Sequence, residues 1–171
     1  MIIVYASNTG YTKQYAEIVS KNAKIDAFPV DEIPAGRTNE VTIFMGWVMA
    51  GKVVGYKKAK EAGCKILCVV AVGMSPESPA QTNMIKKSLK GEPYMDVYYV
   101  QGGYDYKKLK GINKLLMKVK SKEIVARFDG MSEAEKKENA TYRMVTEGYS
   151  VVDEDRVAAV VAWALMHYDN K

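Results

Sequence analysis

The chain has 171 residues, 48% of them hydrophobic, and a formal net charge of +5, which suits one domain over 1–171 with a substantial core. Two cysteines and one histidine exclude a disulfide framework and a zinc cluster. No terminal run is long and apolar enough for a signal peptide or a spanning helix, so a soluble cytoplasmic protein is expected. The charge is uneven: from Tyr106 to Arg127, seven Lys and one Arg stand against the single Glu123, a local +7 that leaves the remainder at −2.

Ile2-Ile3-Val4-Tyr5-Ala6 is an unbroken apolar run, the pattern of a strand buried on both faces. Tyr15-Ala16-Glu17-Ile18-Val19 reads as helix, so Ser7-Asn8-Thr9-Gly10-Tyr11-Thr12 lies between a strand and a helix N-terminus. The first-turn amides of a helix and its macrodipole can hold a phosphate. Ser7, Thr9 and Thr12 add hydroxyl donors, and Gly10 permits close backbone approach. An ordinary N-cap accounts for such a cluster without any ligand, but three hydroxyls around one glycine after a fully apolar strand favour phosphate. The spacing matches neither the dinucleotide glycine pattern nor the nucleoside-triphosphate loop. It resembles the S/T-x-T-G-x-T phosphate loop of flavodoxin-like proteins, at every fixed position. That resemblance implies an FMN-binding protein.

Lys24 to Phe28 reads as a short second strand, stopped by Pro29, and Val41 to Met45 as a third, ending in Gly46-Trp47-Val48-Met49-Ala50-Gly51. A helix from about Val54 to Ala62 closes at Gly63, a left-handed cap. Lys65 to Val72 has the continuous apolar character of a central parallel strand. Gly73-Met74-Ser75-Pro76 follows, then a helix from about Gln81 to Leu89 and a fifth strand, Asp96 to Gln101, ending at Gly102-Gly103-Tyr104. Cys64 and Cys68 lie among Ile66, Leu67, Val69 and Val70, so packing is their expected role. Asp153 reads as N-cap of the last helix, with Val157, Val160, Val161, Ala164, Leu165 and Tyr168 on its apolar face.

Alternating strands and helices predict an α/β fold, with helices on both faces of one parallel sheet. The resemblance implies the doubly wound flavodoxin-like order 2-1-3-4-5, with the ligand at the crevice between strands 1 and 3. An FMN ring would then lie on the loops after strands 3 and 4, against Trp47, Val48, Met49 and Ala50 and against Gly73, Met74 and Ser75. Trp47 as a core or interface tryptophan is the alternative, and Gly102, Gly103 and Tyr104 either close the pocket or form a simple turn. No catalytic acid–base pair stands out, and none is required where the cofactor carries the chemistry. His167, on the last helix, reads as structural.

Roughly fifty residues separate the fifth strand from the last helix, longer than a structureless loop in a compact domain. Within this insertion, at about 105–150, Lys107, Lys110, Lys114, Lys118 and Lys122 recur at helical spacing, with Leu109, Ile112, Leu116 and Val119 on another face. Such a helix packs on its domain, lies on an anionic membrane, or docks a partner. No aromatic platform for nucleic acid accompanies it. Ser132 to Glu135 has capping-box spacing, which announces a further helix.

Gln81-Thr82-Asn83, Gly102 to Tyr106 and Leu115 to Val119 resemble the flavodoxin-domain branch that contains menaquinone-dependent protoporphyrinogen dehydrogenase. The resemblance runs across most of the chain. It implies either an electron carrier using bound FMN and a redox partner protein, or an oxidoreductase passing electrons from FMN to a quinone, peripheral to the inner face of the membrane. The Gly73-Met74-Ser75-Pro76-Glu77 loop lacks the basic residues expected of that enzyme's loop, which argues against binding of two porphyrin propionates.

Overall fold

Ile2–Ala6 forms strand β1, and Ile2, Ile3 and Val4 are completely buried. The computed structural model describes residues 1–89, 94–109 and 111–168, with the side chains of Ile112, Asn113, Leu116, Lys120 and Ala140 outside that description. After β1 come α1 (Tyr11–Ala23), β2 (Ala27–Pro29), β3 (Val41–Met49), β4 (Lys52–Val53), α2 (Tyr56–Glu61), β5 (Lys65–Gly73), α3 (Pro79–Ser88) and β6 (Asp96–Gln101). The parallel strands lie in the order β2-β1-β3-β5-β6, with β4 an antiparallel appendage of β3. Counting only the parallel strands, this is the expected 2-1-3-4-5, and the fold is a flavodoxin-like α/β sheet.

Alternation along the strands explains how both faces are covered. Ile3, Ile43, Met45, Cys68 and Val70 face α1 and the last helix, α7 (Ala158–Tyr168), where they meet Tyr15, Val19, Val160 and Trp163. Ile2, Val4, Phe44, Val69 and Ala71 face α2 and α3, where they meet Ala59 and Ile85. Trp163 also donates from Nε1 to Asp96 Oδ2 at 2.7 Å, tying α7 to the edge strand β6. Burial pushes the Cys68 thiol well up, and Asp96 adds to the effect, so Cys68 behaves as an apolar group.

Several boundaries differ from the sequence reading. β3 does not stop at Met45 but runs through Gly46 to Met49 and turns at Ala50 and Gly51 into β4. Both turn residues have positive φ, 48° and 75°, the conformation of a tight two-residue hairpin. Gly46 stays in the strand because the returning segment covers it: a Cβ there would meet Val54 O at 2.5 Å and Val53 Cγ1 at 2.6 Å. The last helix begins with a 3-10 turn over Asp155–Val157, whose Asp155 amide donates to Asp153 Oδ1 at 2.8 Å. Trp163, not Leu165 or Tyr168, completes its buried face with Val157, Val160 and Ala164; Leu165 and Tyr168 are exposed. His167 stacks on Trp163, ring centroids 4.0 Å apart.

The insertion is a lobe on a two-strand stem. β7 (Gly103–Tyr104) pairs antiparallel with β8 (Tyr149–Ser150), and between them lie α4 (Gly111–Ala126), α5 (Glu133–Glu138) and α6 (Ala140–Thr146). The Ser132–Glu135 capping box is formed, opening α5 as expected. The basic helix begins at Gly111, not Lys107, since Tyr106–Lys108 makes a separate 3-10 turn and Leu109 is extended and buried. Val119 is exposed, and Lys110, Ile112 and Leu116 of the expected pattern fall outside the description. Among the described residues no helix is long and apolar enough to cross a membrane.

Gly46→Ala should lower stability by about 1–3 kcal/mol, because its methyl meets backbone that cannot yield without moving β4. Urea unfolding checks this, and Gly130→Ala, where a Cβ meets nothing within 4 Å, is the control.

Candidate functional site

The candidate loops spring from one line across the sheet. Ala6 pairs with Gly46, Trp47 with Val72, and Gly73 with Gln101, so the Ser7–Thr12 loop, the β3–β4 hairpin and the loop after β5 all leave the same C-terminal edge. In open α/β sheets that edge is where ligands sit.

In the first loop Gly10 takes φ 92°, a left-handed conformation that a side chain would strain, and so opens α1. The Lys13 amide donates to Ser7 Oγ at 3.3 Å. Among the described residues, the amides of Thr9, Gly10, Tyr11 and Thr12 have no acceptor, and Asn8 Nδ2 is a buried donor with no partner. The first turn of α1 holds no acidic residue. Unfilled donors at the positive end of a 13-residue helix fit a phosphate group.

The six motif residues divide between edge and core. Ser7 is exposed, and Asn8, Thr9 and Gly10 are half-buried, while Tyr11 and Thr12 are buried. Tyr11 OH donates to Tyr149 O at 3.2 Å. Its ring lies against Gly103, where a Cβ would approach Cε1 to 2.9 Å, and its Cβ is 3.2 Å from the place a Cβ of Gly102 would occupy. Burial, then the Asp105 charge and Tyr149, hold the Tyr11 phenol above its ordinary range. One turn on, Tyr15 OH donates to Gln101 O at 2.6 Å, and burial pushes that phenol up to about 12 although Arg156 opposes it.

Around the expected ring position, Trp47 and Val48 are half-buried, whereas Met49 is 44% and Met74 39% exposed. Ala50, at the hairpin turn, is exposed. Met84 of α3 stands beside the turn, its Sδ 3.7 Å from where a Gly51 Cβ would be. Gly73 is buried against the Tyr99 ring, which leaves no room for a Cβ. Gly103 opens the stem of the insertion, Gly102 just before it accepts from the Val151 amide at 2.9 Å, and Tyr104 is buried with its OH 3.1 Å from Ser121 Oγ of α4.

The loop after β5 is held by residues that sequence reasoning missed. Tyr99 OH donates to Ser75 O at 3.1 Å, Gln101 Nε2 donates to Met74 O at 2.9 Å, and Tyr149 OH also donates to Met74 O. Glu77 accepts from the Gln101 amide at 2.9 Å and pairs with Arg156. These partners lie 24 to 79 residues apart in sequence, so no local pattern announces them.

No family model matches the chain, and no curated protein does. Four chains of known structure match. One is described as the flavodoxin, WrbA-like protein from Agrobacterium tumefaciens; it is 18% identical, with 52% of this chain and 67% of that chain covered and a TM-score of 0.40. At that level of overlap the fold assignment rests on the strand order and register.

Burial works against the Glu77 charge, but hydrogen bonds from Arg156 and the Gln101 amide outweigh it and hold the carboxyl below its ordinary range. Its contribution to stability is therefore present above the ordinary glutamate pKa and is lost as pH falls through the lower folded-state value. Glu77→Gln should cost about 1 kcal/mol at pH 7, a modest figure because solvent reaches the pair. Unfolding measured at pH 7 and again below about pH 4 should show the gap to the unsubstituted protein closing.

Proposed function

We propose that the chain is an FMN-binding redox protein that transfers electrons through its bound flavin. The observation that carries this reading is the set of unfilled donors at the start of α1, on the same sheet edge as two loops with exposed thioethers. Asn8 and the amides of Thr9 to Thr12 would hold the phosphate, with Ser7 beside them. Trp47, Val48, Met49 and Ala50, together with Gly73, Met74 and Ser75, would flank the ring, and Gly102 and Gly103 keep Tyr11 packed beneath the phosphate loop. When bound, the flavin supplies hydride and single-electron chemistry. The chain contributes placement: Tyr99, Gln101 and Tyr149 fix the carbonyls of Met74 and Ser75, which limits the conformations open to that loop.

Titration with FMN, followed by loss of flavin fluorescence, should give saturable binding. Asn8→Asp, which replaces the buried donor by a negative charge, should weaken FMN at least tenfold, about 1.4 kcal/mol, and weaken riboflavin much less. Equal affinity for FMN and riboflavin, or no quenching, would remove the phosphate-loop reading.

A second reading is favoured by one observation on the insertion. Leu115 and Val119 are 63% and 65% exposed on α4, one turn apart, with Lys114, Lys118 and Lys122 also exposed. That surface suits an oxidoreductase passing electrons to a quinone at an anionic membrane. Co-sedimentation should then be strong with phosphatidylglycerol vesicles, weak with phosphatidylcholine, and abolished by Leu115→Glu with Val119→Glu. Equal recovery on both vesicles would leave the carrier reading alone.

A further inference from the structure

A cavity of about 620 Å³ lies between the loop after β5 and helix α6 of the insertion, within the size range of small-molecule sites. One wall is Met74 and Pro76, the other Met144 and Tyr149. These are thioethers, a pyrrolidine and a phenol ring, surfaces that suit a flat apolar body. The wall from the insertion is fixed in place, because Tyr149 belongs to the stem strand β8 and its OH bonds Met74 O. Gly148 precedes it at φ 78°, where a Cβ would come within 2.7 Å of Tyr104 O, so the turn out of α6 packs closely on β7 and requires glycine.

Two charged side chains line the same cavity, Arg143 and Glu147. They are four residues apart, yet no ion pair joins them, and among the described residues neither has an ion-pair partner elsewhere. The other charged pair bordering this loop, Glu77 and Arg156, is closed on itself. A planar guanidinium offers two parallel donors to a carboxylate. The nearby Glu147 carboxylate repels a second anion. We propose that this cavity binds an aromatic monocarboxylate, its ring between Met74 and Met144 and its carboxylate on Arg143.

The site shares Met74 with the candidate ring loop, so its occupant would lie beside a bound flavin. In that relation alone the proposal rests on the FMN reading; binding itself does not require FMN.

The test is calorimetric titration of the full chain with 2-naphthoate, with and without saturating FMN. The neutral 2-naphthamide and the dianionic naphthalene-2,6-dicarboxylate serve as comparators. Naphthoate should bind in both conditions and more tightly than either comparator. Arg143→Gln should weaken naphthoate about tenfold, the scale of a charged hydrogen bond, and leave naphthamide unchanged. Glu147→Gln should strengthen the dicarboxylate most. Both side chains are exposed, so a thermal scan of each variant should show an unchanged fold. Absence of naphthoate binding, equal binding of naphthoate and naphthamide, or indifference to Arg143→Gln would each overturn the proposal. Loss of FMN binding with naphthoate binding intact would instead count against the flavin reading.

Discussion

Burying both faces of the parallel sheet is the constraint on which the rest of the structure depends. Ile2, Ile3, Ile43, Phe44, Val69 and Val70 are completely covered by helices, so the sheet can present nothing to a ligand except the ends of its strands. The chain uses that edge fully. The line from Ala6 through Gly46 and Trp47 to Gly73 and Gln101 carries every candidate loop. Glycine recurs along it because backbone and rings approach there more closely than a Cβ allows, as Val54 does at Gly46 and Tyr99 at Gly73.

What the sequence disclosed follows the range of the interactions involved. Residues 7–12 sit in a contiguous strand, turn and helix start, so the position of that loop could be read directly, as could the capping box at Ser132 and the continuous apolar runs of β1 and β5. The extension of β3 could not. Gly46 and Gly51 look like loop residues, and only the return of Val53 and Val54 over the strand explains why the first is not. Leu165 fits the apolar periodicity of the last helix yet is exposed, because Trp163 occupies the sheet-facing position and bonds Asp96. The partners of Met74, Ser75 and Glu77 are brought together only by tertiary structure. The order of the strands, too, came from resemblance and not from alternation.

The same logic separates two kinds of residue at the site. Tyr11 belongs to the motif by sequence but spends its side chain on the stem of the insertion, through Gly102, Gly103 and the Tyr149 carbonyl. Asn8 does the reverse, with a buried Nδ2 that no group among the described residues satisfies. A buried donor without an acceptor costs free energy. The Ser7–Thr12 loop is thus joined to the insertion on one side and left open on the other.

The stem itself has an architectural consequence. Gly103 pairs with Ser150 and Tyr104 with Tyr149, so the chain leaves β6 for the lobe and returns toward the last helix through one short antiparallel pair. For the rest of the molecule the lobe is topologically equivalent to a short hairpin, and its length adds to the entropy of closing the fold only logarithmically. Residues 105–148 are in this sense an appended module. Their sequence can drift in length, charge or surface while the order and register of the parallel strands stay as they are.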